Sequence, residues 1–426
     1  MENTLFDIQE HVIPCQHIRE YPRGVKSEGS LRLALKQYTP ITSKSENGIT
    51  IIAGHGNGIP KECYEPLWEE LLRSSNIPIK SIWIADCSHQ GASGVMNEKV
   101  IGHDPNWFDH SRDLLCMINH FRDSITPPIF GICHSFSCSQ FVHLSLMHPS
   151  LFQGLAFLEP MIQLQNPSKM SGLPQAAFAS NRDDLWASRA SAESSLRSSP
   201  FFRSWDARSV DKFLSYGLRS VPTAAYPISD DSPPASVTLT TTKAQEAWTY
   251  LRMNASPYLT DGKDDKEFFL GKDMSRVSEE GHLNNREYVT TCPSAALAFE
   301  LLPYVRPSVL YVFGERSHIN RPPRREDKLN ITGTGTGGNG GLSQGRVECH
   351  VVQRSSHMMP LEKIHETASV LSQWLEKQLK DFEREQQFYK DYDGDKSVND
   401  QTRLSAKWMQ YMREPAGALR PTKSRL

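Results

Sequence analysis

Short apolar segments alternate with longer amphipathic segments along the first part of the chain. Leu31–Leu35 alternates apolar and polar side chains, which predicts a strand. Further strands are predicted at 48–54 (GITIIAG), 79–86 (IKSIWIAD), 127–133 (PPIFGIC) and 151–159 (LFQGLAFLE). Helices are predicted at 107–121 (WFDHSRDLLCMINHF) and 136–148 (FSCSQFVHLSLMH). Strand–helix–strand alternation of this kind indicates a mostly parallel sheet whose strands are connected by crossover helices.

The alternation stops near Pro160 and resumes near residue 291. Residues 161–290 are rich in Ser, Asn, Asp and Pro with helical pieces, and we interpret them as an inserted, largely helical cap. After a predicted helix, strands are expected at 308–314 (SVLYVFG) and 346–352 (RVECHVV), separated by a polar loop over 315–345. A last core helix begins with LEKIHE. The predicted organisation is therefore core (1–160), cap (161–290), core (291–380) and a charged tail (381–426).

Composition excludes several classes of protein. The 426 residues are 38% hydrophobic and 23% charged, which suits a folded α/β protein. The net charge of −2 does not suggest a nucleic-acid partner, and no apolar run reaches the ~18 residues that a membrane span needs. The eight cysteines form no CxxC pair, so we expect neither a metal site nor a disulfide framework. The first residues do not resemble a secretory signal.

A glycine-rich segment, 333–338 (GTGTGG), matches the GxGxxG pattern of dinucleotide-binding proteins. The pattern needs a hydrophobic strand before it and a helix directly after it, because the pyrophosphate binds at the helix N-terminus. The preceding DKLNIT is mostly polar, and no helix is predicted after the glycines. We therefore interpret the segment as a loop and expect no cofactor.

The segment PPIFGICHSFSCSQF predicts a nucleophile. A strand ends, Ser135 follows, and a helix begins at once, which is the arrangement of a nucleophile elbow. The small residues that the tight turn needs are Cys133 and Ser137 instead of two glycines. The backbone N–H of Phe136 would then donate to the oxyanion of an acyl-transfer reaction. The alternative is a serine that only caps a helix.

Two further segments carry chemistry that a nucleophilic serine requires. His55-Gly56-Asn57-Gly58 follows a buried strand, and the backbone N–H of Asn57 is the candidate for a second oxyanion donor. RSSHMMPLE places His357 on the loop after the last predicted strand, so His357 is the candidate general base. His318 and His365 compete with it, but one follows a different strand and the other lies within a helix.

CHSFS, AGHGNG and SSHMMPLE, in this order, resemble the α/β-hydrolase superfamily. Segments such as WFDHSRDLLCMINHF and LAFLEPMI are similar to a fungal peroxisomal branch that includes the AK-toxin biosynthesis hydrolases of host-selective toxin clusters. The resemblance implies an α/β-hydrolase fold with an inserted cap. It also implies a catalytic acid, which in this superfamily commonly follows the strand that ends here at Gly314.

The expected acid is replaced at that position, because Gly314-Glu315-Arg316-Ser317 has serine where the resemblance implies aspartate. Another arrangement in the superfamily places the acid after the strand that follows the nucleophile helix. Glu159 stands there and is our candidate for orienting His357. Glu315 is the second choice and Asp86 a distant third.

Ser424-Arg425-Leu426, the last three residues, form a conservative version of the S-K-L peroxisomal address. The predicted partners are therefore a small acyl substrate and, through this tripeptide, the peroxisomal import receptor.

The sequence thus predicts a peroxisomal serine hydrolase. Its substrate would be an ester or thioester, such as an acyl-CoA or a fatty-acid-like molecule, and the resemblance implies a role in fungal secondary metabolism or toxin biosynthesis. The alternatives are an acyltransferase and a catalytically silent binding protein, both on the same fold. Aromatic residues of the cap are expected either to line an acyl pocket or to form the cap's own core; these are Phe201, Phe202, Trp205 and Phe213.

Overall fold

The computed structural model describes residues 5–26, 29–42, 45, 47–164, 172–227, 235–253 and 289–413. Its centre is an eight-stranded sheet in the order β1-β2-β4-β3-β5-β6-β7-β8. The strands are β1 (Phe6–Pro14), β2 (Arg32–Pro40), β3 (Ile49–Gly54), β4 (Ile79–Ala85), β5 (Ile129–His134), β6 (Gly154–Leu158), β7 (Ser308–Gly314) and β8 (Val347–Val352). Pairing is antiparallel for β1–β2 and β2–β4 and parallel for the rest. The predicted mostly parallel sheet is confirmed.

The parallel strands end at one edge of the sheet. Gly54 pairs with Cys133, His134 pairs with Leu158, and Leu158 pairs with Val312. The loops that follow β3, β5, β6 and β7 therefore start side by side. In an open parallel sheet, this carboxyl edge is where ligands bind.

Helices cover the sheet and connect its strands. The core helices are Glu65–Ser74, Gly91–Asn97, Trp107–His120, Ser137–Met147, Ser294–Leu301, Pro322–Ile331, Met359–Glu362 and Ile364–Asp393. The helix Ser137–Met147 packs so closely on β3 that a methyl group at Gly54 would lie 2.8 Å from the Ser137 side chain. Glycine at 54 is thus what lets the helix after Ser135 approach the sheet.

The inserted region contains the predicted helices and also small strands. Its helices are Leu173–Asn181, Arg189–Ser198, Pro200–Arg203, Ala207–Tyr216 and Lys243–Tyr250. Three short strands form a separate sheet in the order Leu185–Trp186, Val237–Leu239, Leu218–Ser220. Leu251–Met253 and Val289–Thr291 form a two-stranded pair. We call the described part of 161–290 the cap.

The structure corrects the prediction in two places. Phe6–Pro14, for which no strand was predicted, is the edge strand β1; only Phe6 and Ile13 of its nine residues are buried, so its hydrophobic pattern is weak. The predicted polar loop over 315–345 contains the helix Pro322–Ile331. The glycine-rich segment 333–338 therefore follows a helix instead of a strand.

A second compact unit begins at Leu379 and contains the end of the helix Ile364–Asp393, followed by Val398–Thr402 and Ala406–Arg413. Ser424, Arg425 and Leu426 lie outside the described residues. Among the helices that the structure describes, none combines the length and apolarity that crossing a membrane requires.

Candidate active site

Ser135 occupies a strained turn between β5 and the helix Ser137–Met147. Its φ is +61°, a left-handed conformation that side chains other than glycine seldom adopt. Ser137 holds this turn: its Oγ donates to the carbonyl of His134 (2.7 Å) and accepts from the N–H of the same residue (3.0 Å). The turn presents the Ser135 hydroxyl at the carboxyl edge of the sheet, as a nucleophile elbow does.

His357 lies between Ser135 and Glu159. Its Nε2 is 2.8 Å from Ser135 Oγ, and its Nδ1 is 3.0 Å from Glu159 Oε2. With the proton on Nδ1, the ring donates to the carboxylate and accepts from the serine hydroxyl. This alignment is the one in which a histidine can take the serine proton during nucleophilic attack.

The Glu159 carboxylate is fully buried and accepts hydrogen bonds on both oxygens. Oε1 accepts from the backbone N–H of Gly314 (2.6 Å), and Oε2 accepts from Ser317 Oγ (2.6 Å) and Asn320 Nδ2 (3.1 Å). Burial alone would raise the pKa of Glu159, but hydrogen bonds from His357, Ser317 and Asn320 outweigh burial and lower it. Ser317 stands at the position where the resemblance implies the catalytic acid. It donates a hydrogen bond to Glu159, which supplies the carboxylate from the end of another strand.

The other acid candidates have different partners. Glu315 is exposed, and its Oε2 accepts from the backbone N–H of Arg354 (2.8 Å). Asp86 is buried in an ion pair with Lys61 (2.6 Å). Neither carboxylate contacts His357 within the part of the chain that the structure describes.

Neither competing histidine is hydrogen-bonded to Ser135 in the described ranges of the chain. His365 is exposed and pairs with Glu70 (2.8 Å). His318 is a neighbour of His357, with ring centroids 5.9 Å apart, and lines the same cavity.

The predicted oxyanion donors lie beside Ser135. Among the described residues, the backbone N–H groups of Asn57 and Phe136 donate to no acceptor, whereas those of Gly56 and Gly58 do. Gly56 donates to the hydroxyl of Tyr64, and both Asn57 and Phe136 line the cavity at Ser135. Backbone N–H groups without acceptors at the nucleophile are what an oxyanion hole requires.

Sequence reasoning missed a link between the three loops at this edge. Tyr64 Oη accepts from Gly56 N–H (2.8 Å) and lies 2.6 Å from His134 Nδ1, while His134 Nε2 is 2.9 Å from the carbonyl of His357. A carbonyl only accepts, so Nε2 carries the proton and Tyr64 donates to Nδ1. Burial, with a smaller contribution from His357, lowers the pKa of His134 to about 3 and keeps this ring neutral.

A second link joins the oxyanion loop to the cap. Gln90 accepts from Gly58 N–H (2.8 Å) and donates to Asn57 Oδ1 (2.5 Å); its Nε2 also lies 3.1 Å from Thr249 Oγ1 on the cap helix Lys243–Tyr250. Asn57 Nδ2 donates to the carbonyl of Glu246 on the same helix (3.1 Å). No sequence motif indicated Gln90, because its partners are distant along the chain.

A cavity of about 420 Å³ opens at Ser135 between the core and the cap. Phe201, Phe202 and Phe213 line it, which agrees with one of the two predicted roles for the cap aromatics. Trp205 instead packs against Phe202, with ring centroids 5.0 Å apart, and belongs to the core of the cap. The walls are mostly apolar and therefore suit an acyl group.

No protein-family model matches the sequence. It is 36% identical over 417 residues to the type I acyl-CoA thioesterase mpaH' of Penicillium brevicompactum, with 92% of this chain and 93% of that protein covered. The chain belongs to this thioesterase family. The mpaH protein of Penicillium roqueforti is 35% identical over 90% of both chains. A more distant relative is the abhydrolase domain-containing protein ACTT2-1 of Alternaria alternata, 25% identical over 59% of this chain and 84% of that protein.

Solved structures show the same fold. The peroxisomal α/β-hydrolase Lpx1 of Saccharomyces cerevisiae superposes with a TM-score of 0.64 over 97% of both chains at 15% identity. E-2-(acetamidomethylene)succinate hydrolase gives a TM-score of 0.52 over 86% of this chain and 100% of that one, at 13% identity. The predicted α/β-hydrolase fold and the resemblance to fungal hydrolases are confirmed, and the protein is an enzyme of the α/β-hydrolase type.

Proposed function

We propose that this protein is a serine thioesterase that hydrolyses an acyl-CoA thioester in a fungal secondary-metabolite pathway. The observation that carries the proposal is the alignment of Ser135, His357 and Glu159 at 2.8 and 3.0 Å. The thioester as the bond cleaved is supported by the relatives named acyl-CoA thioesterases, to which the chain is 36% identical. The aromatic cavity at Ser135 supports an acyl group as the part of the substrate that is bound.

In the first half of the reaction, Ser135 Oγ attacks the carbonyl carbon while His357 Nε2 takes its proton. The N–H groups of Phe136 and Asn57 donate to the oxyanion, and Glu159 stabilises the imidazolium that has formed. The C–S bond then breaks, His357 returns the proton to the thiolate, and the free thiol leaves an acyl-serine.

In the second half, a water molecule takes the place of the thiol. His357 accepts a proton from it as its oxygen attacks the acyl-serine carbonyl. When the bond to Ser135 breaks, the same proton passes to the serine oxygen, and the carboxylic acid leaves. An acyltransferase would differ only here, with an alcohol or amine in place of water.

The experiment that tests the function is a panel of acyl-CoA thioesters and simple esters assayed for thiol and acid release, with Ser135→Ala as the control. We expect turnover by the wild-type enzyme, and a loss of at least ~10³-fold in the variant because losing a triad member removes the nucleophilic pathway. Labelling of the wild type but not of the variant by a fluorophosphonate would identify Ser135. Absence of both labelling and turnover in the wild type would support the silent binding protein, and product formed only with an added acceptor would support the transferase.

We also propose that the enzyme works in peroxisomes, imported through Ser424-Arg425-Leu426. The support is the tripeptide itself, which has a small hydroxyl residue, a basic residue and leucine in the order that the import receptor reads.

A further inference from the structure

An ion pair interrupts the apolar wall of the catalytic cavity. Arg182 Nη2 on the cap lies 2.5 Å from Glu246 Oε2, and both residues line the cavity at Ser135. The side chains are only 17% and 9% exposed, so two opposite charges are held largely out of water. The same cavity is also lined by Phe178, Phe202 and Phe213.

The pair also lies next to the oxyanion loop. The carbonyl of Glu246 accepts from Asn57 Nδ2 (3.1 Å), and a methyl group at Gly58 would lie 3.0 Å from the Glu246 carboxylate. Gly58 has a φ of +75°, a conformation that glycine adopts without strain. Glycine also leaves room for the Glu246 carboxylate beside it. A group that reaches Glu246 therefore lies against the loop whose Asn57 N–H is the proposed oxyanion donor.

Burying such a pair is costly, and apolar residues of similar size often stabilise a fold equally well. Within the described residues, Arg182 Nε donates no hydrogen bond, and Glu246 Oε2 has no hydrogen bond besides its ion pair with Arg182. Burial raises the pKa of Glu246, and the Arg182 charge opposes that rise. The cavity wall thus presents a hydrogen-bond donor and an acceptor side by side, with opposite charges that offset each other.

We propose that Arg182 and Glu246 bind an uncharged group of the substrate that both donates and accepts hydrogen bonds, a hydroxyl or an amide close to the reacting thioester. The proposal rests on the thioesterase function above. A carboxylate or phosphate would fit less well, because it would meet the negative charge of Glu246. A plain alkyl chain would offer no further hydrogen bond to the pair in its apolar wall.

The group could belong to either side of the thioester, and matched substrates distinguish the two sources. On the acyl side, 3-hydroxyoctanoyl-CoA is compared with octanoyl-CoA. On the thiol side, the octanoyl thioester of N-acetylcysteamine, which carries an amide, is compared with the S-pentyl thioester, which does not. The measurement is the ratio of kcat/KM within each pair.

The test variant is Arg182→Leu with Glu246→Leu, which removes both charges together and leaves neither one buried alone. The matched control is Arg197→Leu with Asp211→Leu, which removes an exposed ion pair elsewhere on the cap. We expect at least one wild-type ratio to exceed about 10, to fall roughly tenfold in the test variant, and to persist in the control. Should the test variant not fold by circular dichroism, Glu246→Gln should still lower the same ratio about threefold.

Two results overturn the proposal. Ratios near one in the wild type would mean that Arg182 and Glu246 bind neither the hydroxyl nor the amide. An unchanged ratio in the folded test variant would mean that other residues cause the selectivity. In both cases, turnover of the plain thioesters leaves the thioesterase function standing. If the wild type hydrolyses none of the four substrates, the proposed function fails, and this inference fails with it.

Discussion

Hydrogen-bond donors around Glu159 offset the cost of burying its charge. It directly follows β6, one strand away from the position implied by the resemblance. Three donors from the end of β7 and the loop after it converge on its oxygens: Gly314 N–H, Ser317 Oγ and Asn320 Nδ2. A buried carboxylate is stable only with such donors. The serine that replaces the expected acid therefore still contributes to the same histidine, through Glu159.

Replacing Glu159 by glutamine tests this role. The side chain keeps its size, but the imidazolium of His357 loses its charge partner and its preferred tautomer. We expect kcat to fall by roughly 10³- to 10⁴-fold, with a melting temperature close to that of the wild type. Glu315→Gln is the matched control, since Glu315 contacts the Arg354 backbone, and should change kcat less than about threefold. A larger loss in the control than in Glu159→Gln would reassign the acid.

Ser317→Ala should show how the donors tune Glu159. The lost hydrogen bond to a charged group corresponds to about 1.5 kcal/mol, or roughly tenfold in kcat/KM. Because Ser317 helps to lower the pKa of Glu159, its loss should raise that pKa. The acidic limb of the kcat/KM–pH profile should therefore move to higher pH.

Ser145→Ala is the control for that profile, because it removes a buried serine whose hydroxyl donates to Val142 O (2.8 Å) within its own helix. Its pH profile should match that of the wild type. A purely structural role of Ser317 would lower activity at every pH without moving the limb.

At the scale of elements, one tyrosine joins three loops. Tyr64 contacts Gly56 on the oxyanion loop and His134 at the elbow, and His134 in turn contacts the backbone of His357. Tyr64→Phe removes both contacts of the hydroxyl and should lower kcat about tenfold with little change in KM, since the ring still fills its site. The measurement is steady-state kinetics on one acyl thioester.

Tyr311→Phe is the matched control for this variant. It removes a buried hydroxyl that contacts Thr332 Oγ1 (2.7 Å), and Tyr311 does not line the catalytic cavity. We expect it to alter stability but not kcat. Equal losses of kcat in both variants would show that removing any buried tyrosine hydroxyl lowers kcat. The contacts of Tyr64 with Gly56 and His134 would then have no specific role.

Elements with a strong hydrophobic pattern could be predicted from the sequence, and weakly patterned ones could not. β7 has the predicted bounds, Ser308–Gly314, because all seven residues are buried and the run is continuous. β1 was missed since most of its side chains face water, and Pro322–Ile331 was missed since only Lys328 is buried in it. These two elements owe their structure to neighbours that a local pattern does not reveal.

The candidate site divides in the same way. Ser135, His357 and Glu159 were predicted to meet because each follows a strand of one parallel sheet, and their side chains do lie in contact; their catalytic roles stay predictions. Tyr64 and Gln90 carry no motif. Their partners lie up to 159 residues away along the chain, so only the folded structure could reveal them.

At the scale of the whole molecule, the last three residues should act as an address that is separate from the site. Deleting Ser424–Leu426 should move a fluorescently tagged protein from peroxisomes to the cytosol, because the receptor reads the terminal tripeptide. The purified truncated enzyme should keep its kcat and KM. Replacing only Leu426 by glutamate is a milder version of the same test, and peroxisomal import in both variants would contradict the assignment.

The hydrogen bonds between the cap helix Lys243–Tyr250 and the oxyanion loop limit how relatives of this enzyme can be recombined. A chimera that received its cap from another family member would also inherit foreign partners for Asn57 and Gln90. Such a graft would alter the oxyanion loop as well as the acyl pocket. Chimeras meant to change substrate preference should therefore transfer positions 57 and 90 together with the cap, as one inherited block.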